Sequence, residues 1–138
     1  MASFKSNYLD NKILNWILNA AAYTPPATLY IALFTVRPAA DGTGGTEVTI
    51  GGNNYARAVV TANTTNFPTA TAQTCPNGAA IVFNTPSGGG WGTITSFAIM
   101  DAATGGNYLY IGDLTTNFAA GGGVPVQFVA RALVVGEQ

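Results

Sequence analysis

The ionisable side chains are the residues of this sequence that could do chemistry, and they are few and scattered. Glycoside hydrolysis needs two carboxylates about 5–9.5 Å apart, but the spacing of Asp41, Glu47, Asp101 and Asp113 places no two of them together. The sequence contains no His, which excludes Ser-His-Asp and Cys-His relays as well as His metal ligands. We therefore predict that the protein is not an enzyme.

Glycine-rich segments and a single cysteine are the remaining motifs, and each of them fits a turn better than a ligand site. Gly88–Gly90 and Gly121–Gly123 lack the Lys and the following helix of a phosphate-binding loop. The segment Asp41–Glu47 lacks the dense oxygen pattern of a calcium loop. Cys75 has no basic neighbour in the sequence, so nothing indicates a reactive thiol. We predict that the protein binds neither a cofactor nor a metal ion.

The composition favours a protein that works in contact with other protein. Charged residues make up 8% of the 138 residues, against about 25% in an ordinary soluble domain. Five scattered cations and a net charge of −1 cannot build the basic patch that binds nucleic acid. No apolar run approaches the roughly 18 residues that span a bilayer. We expect a homo-oligomer, with a trimer favoured, or a larger assembly; the alternative is a neutral monomer covered by Thr and Asn.

One amphipathic helix is predicted at the N-terminus, over residues 3–22. Ser3 or Ser6 can cap its first turn, and the two prolines at 25 and 26 stop any continuation. Five apolar residues recur at helical spacing and form one stripe: Leu9, Ile13, Trp16, Ile17 and Ala20. Either this stripe packs on the sheet of its own chain, or it docks on a neighbouring subunit.

The rest of the chain reads as strands and turns. The segments predicted to be strands are 28–35, 55–61, 79–84, 92–101, 107–114 and 124–135. The first of these is apolar on both faces, which is typical of a central buried strand, and residues 102–106 predict a tight hairpin. The fold class is therefore mainly β: an antiparallel, jelly-roll-like β-sandwich over 28–135 behind the helix, in a single domain spanning 1–138.

Two arginines and one tryptophan join the helix as candidates for an interface. Arg57 and Arg131 lie inside predicted strands, where a charge must be paired; each pairs with a carboxylate of its own chain or bridges to a neighbouring subunit. Trp91 follows a glycine run at the start of a strand, where we expect it to be exposed and able to stack on a sugar. The predicted interface residues are Leu9, Ile13, Trp16, Arg57, Trp91 and Arg131.

The order of these segments resembles a family of small virion proteins from bacteriophages and prophages, often labelled tail fibre or minor structural protein. The segments that carry the resemblance are Asn11–Leu14, Thr24–Thr35, Gly44–Val48, Tyr55–Arg57, Trp91–Thr95, Ile99–Asn107 and Leu109–Leu114. They span nearly the whole chain. The resemblance implies a component of the phage particle with a small β-sandwich, which assembles in the host cytoplasm.

Two positions on the particle are compatible with this resemblance. A long receptor-binding fibre needs an attachment segment and a shaft, for which the chain leaves no room. We therefore expect a capsid decoration (cement) protein, whose partner is the major capsid protein or another virion protein and which stabilises the assembled shell by mass action. The alternative is a short tail fibre or tail-tip component that binds a glycan of the host surface.

Overall fold

The computed structural model describes residues 3–137, and it confirms a mainly β fold of antiparallel sheets with one helix near the N-terminus. Residues 1, 2 and 138, which the single-domain prediction includes, lie outside the described residues. In chain order the elements are β1 (Ser3–Lys5), α1 (Asn7–Leu18), β2 (Thr28–Val36), β3 (Thr46–Glu47), β4 (Ala58–Thr61), β5 (Thr74–Pro76), β6 (Ile81–Val82), β7 (Gly92–Met100), β8 (Tyr108–Ala120), β9 (Gln127–Phe128) and β10 (Val134–Gly136).

A six-stranded antiparallel sheet forms the larger layer. Its strands follow the order β1-β8-β7-β2-β3, and β4 pairs with the first half of β2 on the same side as β3. The prediction of a central β2 is confirmed, because this strand lies between β7 on one side and the pair of β3 and β4 on the other. The predicted hairpin at 102–106 joins β7 to β8, where Asp101 accepts hydrogen bonds from the backbone and side chain of Asn107.

The smaller layer consists of two ribbons, one formed by β5 and β10 and the other by β6 and β9. Ile31 and Leu33 of β2 belong to one buried cluster with Val135 and Phe128 of these ribbons. Burial of such side chains stabilises the fold by about 1.5–3 kcal/mol each. The contact between sheet and ribbons therefore forms the main core.

The opposite face of the sheet is covered by the loop between β2 and β3. Ala32 and Phe34 lie on this face and are buried. The loop is held there by a hydrogen bond from the Asn7 amide to the Ala40 carbonyl. Gly42 has a φ of +86°, and a Cβ at that position would lie 2.9 Å from the ring of Tyr108, so both the backbone conformation and the space require glycine.

The helix is shorter than the predicted range of 3–22. Residues 3–5 form β1, which pairs with β8 instead of continuing the helix. Ser6 is the N-cap, and its hydroxyl accepts a hydrogen bond from the Leu9 amide, as one of the two predicted caps requires. The helix ends at Leu18, and Ala20 has a φ of +58°, which helical backbone does not adopt.

The last predicted strand, over 124–135, is divided into β9 and β10 by a turn that Asn77 holds in place. The side-chain amide of Asn77 donates to the carbonyls of Ala79 and Val129, and its oxygen accepts from the amide of Leu133. Asn77 is completely buried. The sequence around residue 130 is mostly apolar, which predicts one continuous strand, but these hydrogen bonds from a distant residue stabilise the turn.

Candidate interaction surfaces

The helix α1 buries its first half and exposes its second half. Leu9 is buried against the main core, Ile13 is half-buried against it, and Trp16 is 56% exposed. The prediction that the stripe packs on its own sheet therefore holds for the first two turns only. Leu9 is not available to a partner, whereas Trp16 is.

Four large apolar side chains protrude from the second half of the helix, and we call them the apolar ridge. Leu14, Trp16, Ile17 and Leu18 are 53%, 56%, 68% and 77% exposed. No residue between Lys12 and Arg37 carries a charge, and residues 19–22 after the helix are also exposed. An exposed, contiguous apolar patch of this kind marks a contact site for protein or membrane. Within residues 3–137, no helix is both long and apolar enough to span a bilayer.

Beside the helix lies a concave apolar surface, which we call the apolar groove. It consists of two adjoining cavities of about 460 and 320 Å³ that share the side chains of Leu29, Ala62, Leu109 and Tyr110. The larger cavity extends between the main sheet and the β5–β10 ribbon, where Cys75 lines it. The smaller one runs along the inner side of α1. The groove has the apolar lining that is typical of a binding site.

A polar network at one rim of the groove links the two ends of the described chain. The Lys5 ammonium lies 2.5 Å from a carboxylate oxygen of Glu137, and the Tyr110 hydroxyl donates to the same carboxylate. Burial alone disfavours the charged form of Glu137, but the hydrogen bonds from Lys5 and Tyr110 outweigh it, so the pKa of Glu137 is lowered. The hydrogen bond to Glu137 raises the pKa of Lys5.

The lowered pKa of Glu137 predicts a stability contribution that depends on pH. A carboxylate with a depressed folded pKa contributes fully above its unfolded pKa of about 4.3, and the contribution is lost as the pH falls through the folded pKa. The variant Glu137→Gln should therefore be less stable than the parent at pH 7, and the difference should shrink below pH 4. Urea titrations at pH 7, 5 and 3 measure it.

Asp113→Asn is the matched control, because Asp113 forms an ion pair with Arg37 in which both side chains are about half exposed, and such pairs contribute little. A difference between Glu137→Gln and the parent that stays constant from pH 7 to 3 would contradict the assignment.

Arg57 is buried and pairs within its own chain, which decides between the two alternatives for this residue. Its guanidinium makes two hydrogen bonds of 2.8 Å to the carboxylate of Glu47 and donates two more to the carbonyls of Ala102 and Gly105. The side chain is 4% exposed. Arg57 therefore ties β3 and β4 to the β7–β8 hairpin of its own chain.

Tyr55 completes this network, a role that the sequence patterns do not indicate. Its hydroxyl donates to Glu47 and accepts a hydrogen bond from the amide of Leu33 in the central strand. Tyr55 is 1% exposed, and burial raises its pKa. Both contacts depend on tertiary structure, so no local signal could have indicated them.

Trp91 is buried, so the prediction of an exposed stacking platform is wrong. Its indole N–H donates to the Asn53 carbonyl, and its ring packs edge-on against Tyr55 at 5.1 Å and against Phe83 at 6.5 Å. The glycine run before it does form a turn, with a φ of +80° at Gly90. That turn directs the tryptophan into the core and not into solvent.

Arg131 lies in the turn between β9 and β10 and not inside a strand. It is exposed, with a φ of +70°, and its amide donates to the Asn77 carbonyl. The ion pairs found among residues 3–137 do not include it. Of the six predicted interface residues, only Trp16, Arg131 and the half-buried Ile13 are therefore accessible, and the structure does not bring Arg131 together with the other two in any contact.

The possible metal ligands of the described residues are spread apart. Among residues 3–137 no three His, Cys, Asp or Glu side chains come together in a group that could hold a metal ion. The accessible features are instead a protruding uncharged helix end and an adjoining apolar groove, and exposed apolar surfaces of this kind are typical of contact sites.

Comparison with known families shows which family the chain belongs to. The model of a family described as podophage GP4 fiber I protein gp80 matches residues 5–136. The chain belongs to this family, and it is a structural protein of a bacteriophage virion. The predicted resemblance to phage virion proteins is thus confirmed. A search of curated proteins found no match.

Proposed function

We propose that this protein is a fibre component of the virion that is held in place through its apolar ridge. The observation that carries the proposal is the exposure of Leu14, Trp16, Ile17 and Leu18 in a segment without charge. Burying a large apolar side chain is favourable by about 1.5–3 kcal/mol, so an assembly that covers the ridge is favoured. The family description, which names a fibre protein, supports the tail over the head.

The proposed partner is another virion protein, which includes further copies of this chain. Charged residues at 8% of the chain leave little repulsion between copies, and this favours a homo-oligomer. The smallest closed ring with more than two copies is a trimer, which remains our expectation. The oligomer would form in the host cytoplasm, where virions are assembled.

Capsid decoration is the second candidate, and the same scarcity of charge favours it. A cement protein must lie flat against other protein over much of its surface, and a weakly charged exterior suits such a contact. The partner would then be the major capsid protein. The two candidates differ in what the particle loses when this protein is absent.

Deleting the gene from the phage and comparing the particles with the parent separates the two candidates. A fibre component predicts particles that keep their heat and osmotic resistance but adsorb poorly to the host. It also predicts that an antibody against the protein labels the tail of the parent particle. Normal adsorption together with loss of heat resistance, and labelling of the head, would contradict the fibre assignment and support decoration.

A further inference from the structure

The apolar ridge and the apolar groove are two complementary surfaces on one molecule. The ridge is a projecting helix end, whereas the groove is a concavity between the main sheet and the β5–β10 ribbon. Leu14, Ile17 and Leu18 are not among the residues that line either cavity of the groove. Trp16 does line the smaller cavity, so the ridge adjoins the groove of its own chain. Leu14, Ile17 and Leu18 leave that groove unfilled and are free to meet a partner.

Charge does not oppose contact between the two surfaces. Between Lys12 and Arg37 the ridge and its flanks are neutral. Glu137 is the one charged residue lining the groove, and its carboxylate is already engaged by Lys5 and Tyr110. Contact would therefore remove no unpaired charge from water, which is the main cost of covering a polar surface. The cation at the rim of the groove, Lys5, is already paired with Glu137, so the lining offers no free cation to a nucleic acid or an anionic glycan.

The exposed area of the ridge can be compared with the area that a specific interface between two copies buries. A large side chain exposes on the order of 200 Å² when fully accessible, so the fractions of the four ridge residues amount to about 500 Å². The groove exposes less surface than the ridge, so one ridge in one groove would bury somewhat less than about 1,000 Å² in total, the size of a weak interface that gains from being repeated. In a closed ring every copy makes this contact twice, once with each surface.

We infer that the apolar ridge of one copy inserts into the apolar groove of the next copy. The contact is heterologous, because it joins two different surfaces, and such contacts close into rings when the rotation allows. This inference rests on the proposed function, in which the ridge is covered by protein, and it names the partner as a second copy of this chain. A symmetric ridge-to-ridge contact would leave the groove open.

A disulfide between copies tests this geometry, because Cys75 lines the groove and is the only cysteine in the chain. The variant Leu18→Cys places a second thiol on the ridge. Disulfides form only when the two Cα atoms come within about 4.4–6.8 Å. Mild oxidation of the full-length variant should then give species larger than one chain on a non-reducing gel, and reductant should return them to single chains.

Two control variants make the result specific. Leu18→Cys combined with Cys75→Ser should lose the linked species, because the groove thiol is gone. Val59→Cys, which adds a thiol at an exposed position on β4, should not form them. Linked species that persist without Cys75 would show a ridge-to-ridge contact and overturn the inference. The inference would also be overturned if the disulfide formed within a single chain, or if Leu18→Cys formed no more linked species than Val59→Cys. Since particle location and adsorption are measured independently, such a failure would leave the fibre assignment standing.

Discussion

Replacing Arg57 with Ala is expected to lower the free energy of unfolding by about 3–5 kcal/mol, the cost of removing one partner of a buried ion pair. The guanidinium is 4% exposed and makes four hydrogen bonds, two of them to the carboxylate of Glu47. Its loss leaves that carboxylate beside the buried Tyr55 hydroxyl without a cation, and it frees the carbonyls of Ala102 and Gly105. Urea denaturation at a fixed protein concentration measures the change.

Arg37→Ala is the matched control for this prediction. Arg37 pairs with Asp113 at 2.7 Å, as close as the buried pair, but the two side chains are 44% and 45% exposed. Its removal is expected to cost at most about 1 kcal/mol, as for other solvent-exposed pairs. Equal losses in the two variants would contradict the structural role assigned to Arg57.

Introducing charge on the apolar ridge is expected to abolish self-association without unfolding the protein. In the variant Ile17→Asp with Leu18→Asp, assembly would bury two carboxylates without partners. An uncompensated buried charge costs about 3–5 kcal/mol, and 3 kcal/mol corresponds to a roughly 100-fold weaker association. Because both parent side chains are largely exposed, the fold of the single copy should be preserved. Sedimentation velocity measures the association, and circular dichroism the fold.

Val82→Asp is the control for the effect of charge alone. Val82 is 65% exposed on β6, and it lines neither cavity of the groove. This variant should associate like the parent. If the ridge variant also associates like the parent, the ridge is not the contact surface.

The longer strands could be predicted from the sequence because their signals are local. The apolar run within 28–35 and the strand-forming residues at 92–101 correspond to β2 and β7, and the glycines at 105 and 106 mark the hairpin between β7 and β8. These patterns act through neighbouring residues, so they are visible without the rest of the fold. The helix was also predicted, but its first residue depends on the pairing of β1 with β8, which is a long-range contact.

The errors concern residues whose surroundings come from distant parts of the chain. The environment of Trp91 is set by Asn53, Tyr55 and Phe83, and the turn around Arg131 is held by Asn77. A periodic pattern cannot reveal such partners. The same reason explains why the sequence left two alternatives for Arg57, which only the position of Glu47 resolves.

The apolar ridge was partly visible in the sequence. The sequence predicts one apolar stripe that includes Trp16 and Ile17, and one of its two alternatives is docking on a neighbouring subunit. Which apolar residues of the helix stay exposed depends on how much of the helix packs against the core. Only its first half does so, through Leu9 and Ile13. The predicted interface set therefore includes Trp16 but omits Leu14, Ile17 and Leu18.

The most direct test of the central claim is a density map of the intact phage particle in which this chain can be traced. The account predicts that every copy has Leu14, Ile17 and Leu18 covered by another protein chain. Copies that are present on the particle with these three side chains facing solvent would contradict it.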